Sequence, residues 1–213
     1  MTSADGGERE LILRVATRLF AALGYDGTST SQITEAAGVD VATLNENFGG
    51  KRELYLAVME RAHLAELAHL EGTIAEISAA PPGDPIREPA GAVHLLLDSY
   101  IDFCVGNPDL DALWMHRWLS DASDVTEPER QYVQPVVRRI SETLQSLAPG
   151  SADVMFTVWT VTWSAHAFSR AGVLDEEGNH WSPDDPEILR RFRAYMHELV
   201  HHALGLPGSP PAS

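Results

Sequence analysis

One stretch constrains the fold more than any other. Residues 29–51, STSQITEAAGVDVATLNENFGGK, contain two short helical patterns separated by a glycine. Ser29 stands three residues before Gln32, which is the spacing of a capping box at a helix N-terminus. Gly38 lies where this first helix should end, because glycine adopts the left-handed conformation without steric cost. Asp40 can then cap a second helix, so the stretch predicts a helix, a tight turn and a second helix.

A helix-turn-helix of this kind is the layout whose second helix fits the major groove of DNA. A preceding helix is predicted over residues 8–23, where apolar residues recur at helical spacing and Gly24 closes the run. This helix would pack behind the two short ones and complete a three-helix head. Residues 1–7 are expected to be disordered.

A set of spaced residues in this region forms a recognisable pattern: Ala16, Leu19, Phe20, Gly24, Tyr25, Thr28, Ile33, Ala36, Ala37, Gly38, Val39, Thr43, Leu44, Phe48 and Lys51. The pattern resembles the N-terminal signature of the TetR/AcrR regulators. The resemblance implies an all-α protein with a three-helix DNA-binding head and a larger helical body that binds a ligand and forms a dimer. It also implies a repressor that a small molecule releases from DNA.

The chain departs from that signature on the second helix of the pair, which would read the DNA. Asn45 stands where the family usually has an aromatic residue, and Asn47 stands where a histidine or tyrosine usually precedes the phenylalanine. Asparagine suits a bidentate contact to adenine, so Asn45 is predicted to read a base. Residues 1–62 hold six Lys or Arg and nine Asp or Glu, so the head is net acidic.

Two groups of DNA-contacting residues are predicted from this layout. Base edges would be contacted by Ser31, Gln32, Val41, Ala42, Asn45 and Glu46, and backbone phosphates by Thr28, Thr30, Thr43, Asn47 and Lys51. Lys51 is the only lysine of the chain and lies where a fourth helix should begin. Its ammonium group and the N–H groups of that helix N-terminus can therefore hold one phosphate together.

The net charge of −16 over 213 residues argues against general affinity for nucleic acids or anionic membranes, so DNA binding should be local and geometric. The single cysteine, Cys104, has no partner for an internal disulfide, which favours the reducing cytoplasm. The N-terminus lacks the pattern of a signal peptide. The sixteen uncharged residues 154–169 are fewer than the ~20 that a spanning helix needs.

The rest of the chain reads as helices at 51–78, 90–106, 108–121, 127–148, 152–171 and 185–204, with no alternating strand pattern and with a kink expected at Pro135. The predicted domains are a DNA-binding head at 1–50, a ligand-binding and dimerising body at 51–206 and a loose tail at 207–213. The fold class is therefore all-α.

The last two predicted helices are interpreted as a dimer interface. The helix at 152–171 is apolar nearly all round, so both of its faces need to be covered. The residues assigned to the interface between two copies are Val158, Phe192, Tyr195, Met196, Leu199, Val200 and Ala203. A homodimer would hold two reading helices about 34–36 Å apart, which implies a palindromic operator.

A small-molecule pocket is predicted in the body, lined by aromatic residues with scattered polar groups. Its candidate residues are Tyr100, Phe103, Cys104, Trp114, Met115, Trp118, Trp159, Trp163 and His166. This composition favours a mostly apolar or aromatic effector.

One pattern points to an enzyme instead. His197, Glu198 and His201 match the zinc-protease motif H-E-x-x-H, although both histidines are predicted to project away from the apolar stripe of the last helix. Glu66 and His69, together with Glu198 and His201, also have the spacing of di-iron helical bundles. A di-metal enzyme and a relative that has lost DNA binding remain as alternatives. The prediction is a DNA-binding regulator, not an enzyme, with no catalytic residue, metal or cofactor assigned.

Overall fold

A computed structural model describes residues 3–119, 121–148 and 153–211. Parts of three predicted segments lie outside these ranges. They are residues 1–2 of the segment predicted to be disordered, residue 152 of the helix predicted at 152–171, and residues 212–213 of the predicted tail. The chain divides into two compact units. The first contains Met1–Leu64 and Asp109–Tyr132, and the second contains Ala65–Pro108 and Val133–Ser213. No helix of the described ranges is long and apolar enough to cross a membrane.

Within the described ranges the structure contains nine α-helices and one short hairpin. The helices are α1 (Ser3–Gly27), α2 (Thr30–Ala37), α3 (Val41–Phe48), α4 (Lys51–Ala79), α5 (Pro89–Gly106), α6 (Pro108–Trp118), α7 (Gln134–Leu147), α8 (Val154–Ala171) and α9 (Pro186–Ala203). The antiparallel strands β1 (Val173–Leu174) and β2 (His180–Trp181) pair Val173 with Trp181 and Leu174 with His180.

The all-α class is confirmed, with three local differences from the predicted elements. Helix α1 begins at Ser3, so the predicted disorder is wrong for residues 3–7. The hairpin lies in the segment predicted to be a loop, because strands of two residues are too short to show an alternating pattern. A π-helical turn at Glu129–Val133 ends two residues before Pro135, whose missing N–H removes a regular helical hydrogen bond.

The first unit packs α1, α2, α3 and the beginning of α4 around fully buried apolar side chains, which include Ile12, Phe20, Ile33, Leu44 and Leu54. Helix α1 is interrupted at Gly24, whose φ of 73° is accessible to glycine at little cost. The Asp121 carboxylate accepts hydrogen bonds from the backbone N–H groups of Tyr25 (2.6 Å) and Asp26 (2.9 Å) just after this interruption. A residue almost a hundred positions away in sequence therefore satisfies the N–H groups that the interruption leaves free.

The second unit is built around α5, which packs against α7, α8 and α9. Its core includes Leu97, Ile101, Val158, Met196 and Val200, all nearly inaccessible to solvent. The rings of Phe168 on α8 and Phe192 on α9 stack with their centroids 4.0 Å apart, which fixes these two helices against each other.

Candidate functional site

The turn between α2 and α3 is held by the caps that the sequence predicts. The Ser29 hydroxyl accepts from the backbone N–H of Gln32 at 3.2 Å, and the Gln32 side-chain oxygen accepts from the N–H of Ser29 at 2.7 Å. Gly38 adopts the left-handed conformation with φ of 70°. The Asp40 carboxylate accepts from the N–H of Thr43 at 2.8 Å, and this bond holds the pKa of Asp40 below its usual value.

These caps fix which face of α3 is buried and which is free. Leu44 points into the core of the first unit and is completely buried. Val41, Ala42, Asn45 and Glu46 are exposed on α3, and Ser31 and Gln32 are exposed on α2. All six residues predicted to contact base edges are therefore accessible, although the side-chain oxygen of Gln32 is already used by the cap.

The residues predicted to bind phosphates are not equally available. Thr28 is only 1% exposed and its hydroxyl donates to the Gly24 carbonyl at 2.7 Å, so it is not placed to reach a phosphate. Asn47 donates its side-chain N–H to the Thr43 carbonyl at 2.9 Å, which leaves its amide partly committed. Thr30 and Thr43 are partly exposed.

The cations of the head differ in how strongly they are engaged. Lys51 lies at the first position of α4 with its ammonium nitrogen 4.1 Å from the centroid of the Tyr25 ring. The Arg9 guanidinium lies 4.6 Å from the centroid of the Phe48 ring. Arg52 and Arg61 are paired with Glu127 and Glu10. A cation over an aromatic face keeps its charge, so Lys51 and Arg9 remain able to attract a phosphate.

The segment after α6 is folded back onto α6 by buried polar contacts that the sequence does not reveal. The Arg117 guanidinium donates to the Glu129 carboxylate at 2.6 and 2.7 Å and to the carbonyls of Ala122 and Val125. The ring nitrogen Nε2 of His116 lies 3.1 Å from the Ala21 carbonyl on α1. The contact of His116 with α1, together with the hydrogen bonds from Tyr25 and Asp26 to Asp121, explains why Asp109–Tyr132 belongs to the same compact unit as the reading helix.

In the second unit, Tyr100 and His166 form the polar pair of the predicted pocket. The Tyr100 hydroxyl lies 2.8 Å from His166 Nε2, and burial lowers the pKa of His166 to about 4. Phe103 and Cys104 are buried nearby on α5. Trp163 is 50% exposed, which places its ring on the outer surface of α8.

The remaining predicted pocket residues are divided between the units. Trp159 stays partly exposed beside Trp163, with ring centroids 5.6 Å apart. Trp114, Met115 and Trp118 lie on α6 in the first unit, where Trp114 is buried and the other two are partly exposed. Sequence reasoning also missed the carboxylate of Glu66 on α4, which is only partly exposed and whose pKa is raised to about 7 by loss of solvation.

Several residues assigned to a dimer interface are buried inside a single chain. Val158, Met196 and Val200 are 7%, 1% and 3% exposed, because α5 covers them, so they cannot face a partner. Tyr195 is 64% exposed, while Phe192, Leu199 and Ala203 are partly exposed. The outward apolar side chains of α8 are instead Met155, Phe156 and Trp163.

The H-E-x-x-H motif is oriented differently from the prediction. His197 and His201 are 5% and 4% exposed, so they face the interior and do not project away from the body. Glu198 is exposed and points away from the two histidines. A zinc-protease or di-iron arrangement needs this glutamate beside the metal, so the structure does not support either enzyme.

Comparisons with known proteins by family profile, by sequence and by structure agree with one another. The sequence profile for bacterial regulatory proteins of the tetR family matches residues 12–58. The HTH-type transcriptional repressor AcnR of Corynebacterium glutamicum is 27% identical over 124 residues, which cover 57% of this chain and 62% of AcnR. The match therefore spans less than two thirds of that relative's length.

Solved structures show that the fold is shared over nearly the whole chain. A bacterial regulatory protein in the tetR family from Rhodococcus RHA1 covers 98% of this chain and 100% of its own, with a TM-score of 0.63 at 16% identity. The fatty acid degradation regulator FadR from Bacillus halodurans covers 92% of this chain and 94% of its own, with a TM-score of 0.63 at 12% identity.

Proposed function

Because the chain belongs to the TetR family of bacterial regulatory proteins, we propose that it is a transcriptional regulator that binds double-stranded DNA through α3. The observation that carries this proposal is the pair of caps at Ser29 and Asp40, which bury Leu44 and leave the opposite face of a short helix free. A helix presented in this way can enter the major groove. We further propose repression, since the relative AcnR is named as a repressor.

Base readout is assigned to the exposed face of α3, with Val41, Ala42, Asn45 and Glu46 at the base edges and Ser31 and Gln32 assisting from α2. Asn45 would contact adenine through its amide, and Glu46 would accept from cytosine. Phosphates would be held by Thr30, Thr43, Asn47 and Lys51. The carboxylates of Asp40 and Glu46 repel phosphates, so the helix has to enter the groove with few, well-placed cations.

We expect Lys51→Ala and Asn45→Ala to weaken binding in different ways. Loss of the Lys51 ammonium should lower affinity for all duplexes and reduce the slope of log affinity against log salt by about one, because one counterion fewer is released. Loss of the Asn45 amide should relax preference at one base pair, by ~1–3 kcal/mol, with the salt slope unchanged. Selection from random duplexes, followed by titration of the selected operator at several salt concentrations, measures both effects.

Arg190→Ala supplies the matched control, since Arg190 is an exposed cation of the second unit paired with Glu187. It should leave both the salt slope and the selected sequence unchanged. If neither Lys51→Ala nor Asn45→Ala alters binding, the contact assignment fails. If the wild-type protein recovers no preferred duplex, the proposed function fails, and a relative that has lost DNA binding becomes the better description.

We infer that the protein acts as a homodimer through the outward faces of α8 and α9. Met155, Phe156, Trp163 and Tyr195 are all about half or more exposed in a single chain. Apolar side chains concentrated on two helices that are consecutive along the chain mark an interaction surface. Phe192, Leu199 and Ala203 flank this surface in the proposal, and the twofold axis would require an approximately palindromic operator.

Phe156→Glu should disrupt this dimer. The side chain of Phe156 is 57% exposed in one chain, so the substitution is tolerated in a monomer but would bury an unpaired carboxylate in the dimer. We expect the dimer dissociation constant, measured by sedimentation velocity, to rise by roughly 100-fold or more. Leu119→Glu alters a side chain that is 79% exposed in the first unit and should have no effect. Equal dissociation constants for both variants would contradict the assignment.

A small, mostly apolar or aromatic effector is proposed to bind in the second unit beside Tyr100, Phe103, Cys104 and His166. Helix α4 contributes residues to both compact units, so it provides a continuous helical route from the body to the head. An effector that binds the body more tightly in one position of α4 than in another would shift the population of DNA-binding states. Such a shift would release the regulator from its operator.

A further inference from the structure

Helix α4 carries a carboxylate on a face that is buried on either side of it. Ala62 and Thr73 are 1% and 7% exposed. Glu66 lies between them on the same side of the helix, one turn after Ala62 and two turns before Thr73. Glu66 therefore stands where the helical periodicity predicts an apolar side chain. A glutamate is seldom placed on such a face unless its charge is paired.

The side chain of Glu66 has no such partner in the part of the chain that the structure describes. None of the hydrogen bonds and ion pairs there involves its carboxylate, and loss of solvation is the only cause that raises its pKa to about 7. The side chain is nevertheless partly accessible to solvent. A carboxylate that solvent reaches but hydrates poorly lies in a recess, because a carboxylate on a convex surface keeps its hydration.

Contacts further along α4 show which helix this recess faces. The hydroxyl oxygens of Thr73 and of Ser99 on α5 lie 2.5 Å apart, and His69 Nε2 lies 2.8 Å from the Ser99 carbonyl. The rings of His69 and Phe103 pack with their centroids 5.1 Å apart. The two helices therefore run antiparallel here, so Glu66, one turn before His69, lies toward the Phe103 end of α5.

The gap between α4 and α5 widens in the same direction. The side chains that touch at Thr73 and Ser99 are small, whereas one turn later the gap holds the two rings of His69 and Phe103. This widening agrees with the partial exposure of Glu66. An unpaired carboxylate thus lies beside an aromatic residue that the proposed effector site already includes.

We propose that the effector is an organic cation, an amine or quaternary ammonium with an apolar or aromatic body, and that Glu66 holds its positive charge. The inference rests on the effector site proposed above and adds the chemical class of its ligand. A cation supplies the missing counter-charge, and the face of Phe103 attracts the same charge. An anion would be repelled by Glu66. A neutral apolar ligand would remove the remaining hydration of the carboxylate without replacing it.

A matched pair of probes tests the charge alone. Benzyltrimethylammonium and neopentylbenzene have the same shape, but the centre of the branched group is a nitrogen cation in the first and a neutral carbon in the second. Both are titrated into full-length protein without DNA at pH 8 and followed by ligand-detected NMR. Glu66→Gln keeps the shape of the side chain and removes its charge. It should weaken binding of the cation by at least about tenfold and leave binding of neopentylbenzene unchanged.

Glu71→Gln is the control, because it removes an exposed carboxylate from the same helix, and it should bind both probes as wild type does. Cation binding that Glu66→Gln leaves unchanged would overturn the proposal. Equal weakening of both probes would also overturn it, since the variant would then have altered the shape of the site rather than its charge.

A second measurement follows the carboxyl group itself in wild-type protein labelled with ¹³C at the glutamate carboxyl carbon. Near pH 7, benzyltrimethylammonium should move the Glu66 resonance toward its ionised position, because a bound cation favours the charged form. Neopentylbenzene should not do so, since an apolar neighbour disfavours that form. A Glu66 resonance that does not respond to the cation would contradict the proposal. Neither measurement uses DNA, so a failure to select an operator would contradict the regulatory function and leave these results standing.

Discussion

Replacing Arg117 with alanine should lower the free energy of unfolding by roughly 2–4 kcal/mol, the largest single-site loss we expect. The side chain of Arg117 is 5% exposed and holds both oxygens of Glu129 as well as two loop carbonyls. Its removal leaves buried acceptors without donors, and this costs more than the loss of the bonds alone. Glu129 is partly solvated, which keeps the effect below that of a fully buried pair. Chemical denaturation followed by circular dichroism measures the loss.

Two further variants separate the causes of this effect. Arg117→Lys keeps the charge but cannot reproduce the planar fork, so it should lose part of the stability. Arg190→Ala removes an arginine from an exposed pair with Glu187, and such pairs contribute little. We expect a change within about 0.5 kcal/mol for this control. If Arg117→Ala were equally mild, the buried contacts would not be what holds the segment after α6 against that helix.

The parts of the head that could be predicted depend on short-range chemistry. Ser29 and Gln32 form a capping box because their side chains and backbone groups are three residues apart, and this spacing is visible in the sequence. Gly38 and Asp40 act in the same local way. The capping box, Gly38 and the Asp40 cap are sufficient to predict α2, α3 and the exposed face of α3. The features that could not be predicted depend on contacts between distant residues.

Thr28 and the residues of α9 illustrate the features that could not be predicted. Thr28 matches the family signature. However, the interruption of α1 at Gly24 frees the Gly24 carbonyl, which accepts the hydrogen bond of the Thr28 hydroxyl. The apolar stripe of α9 shows that one face is buried without showing which neighbour covers it. Met196 faces α5 and Tyr195 faces outward, although adjacent residues of the stripe look alike in sequence. His197 is buried because Asp98, 99 residues earlier, supplies its hydrogen-bond partner.

Acidification should destabilise the protein through His166 in a defined pH window. Burial lowers the pKa of His166 to about 4, whereas its value in the unfolded chain is near 6.5. Between these values the unfolded chain binds the extra proton, so stability falls as the pH is lowered. Above about pH 6.5 the protonation of His166 leaves the free energy of unfolding unchanged. At pH 4 it should have lowered the free energy of unfolding by about 3 kcal/mol. Burial, together with the neighbouring His197 and His201, lowers the pKa of His94 to about 4 and acts in the same direction.

The slope of unfolding free energy against pH distinguishes this effect from a general loss of packing. His166→Gln removes the titrating ring, so the variant should start less stable at pH 7.5 but lose less stability between pH 6.5 and pH 4 than wild type does. The residual slope would come from His94 and from the carboxylates. His202→Gln, which alters an exposed histidine, should reproduce the wild-type slope. If the slope with His166→Gln also equalled that of wild type, the ring would have to be protonated in the folded protein, and its bond with Tyr100 would then be donated by the imidazole.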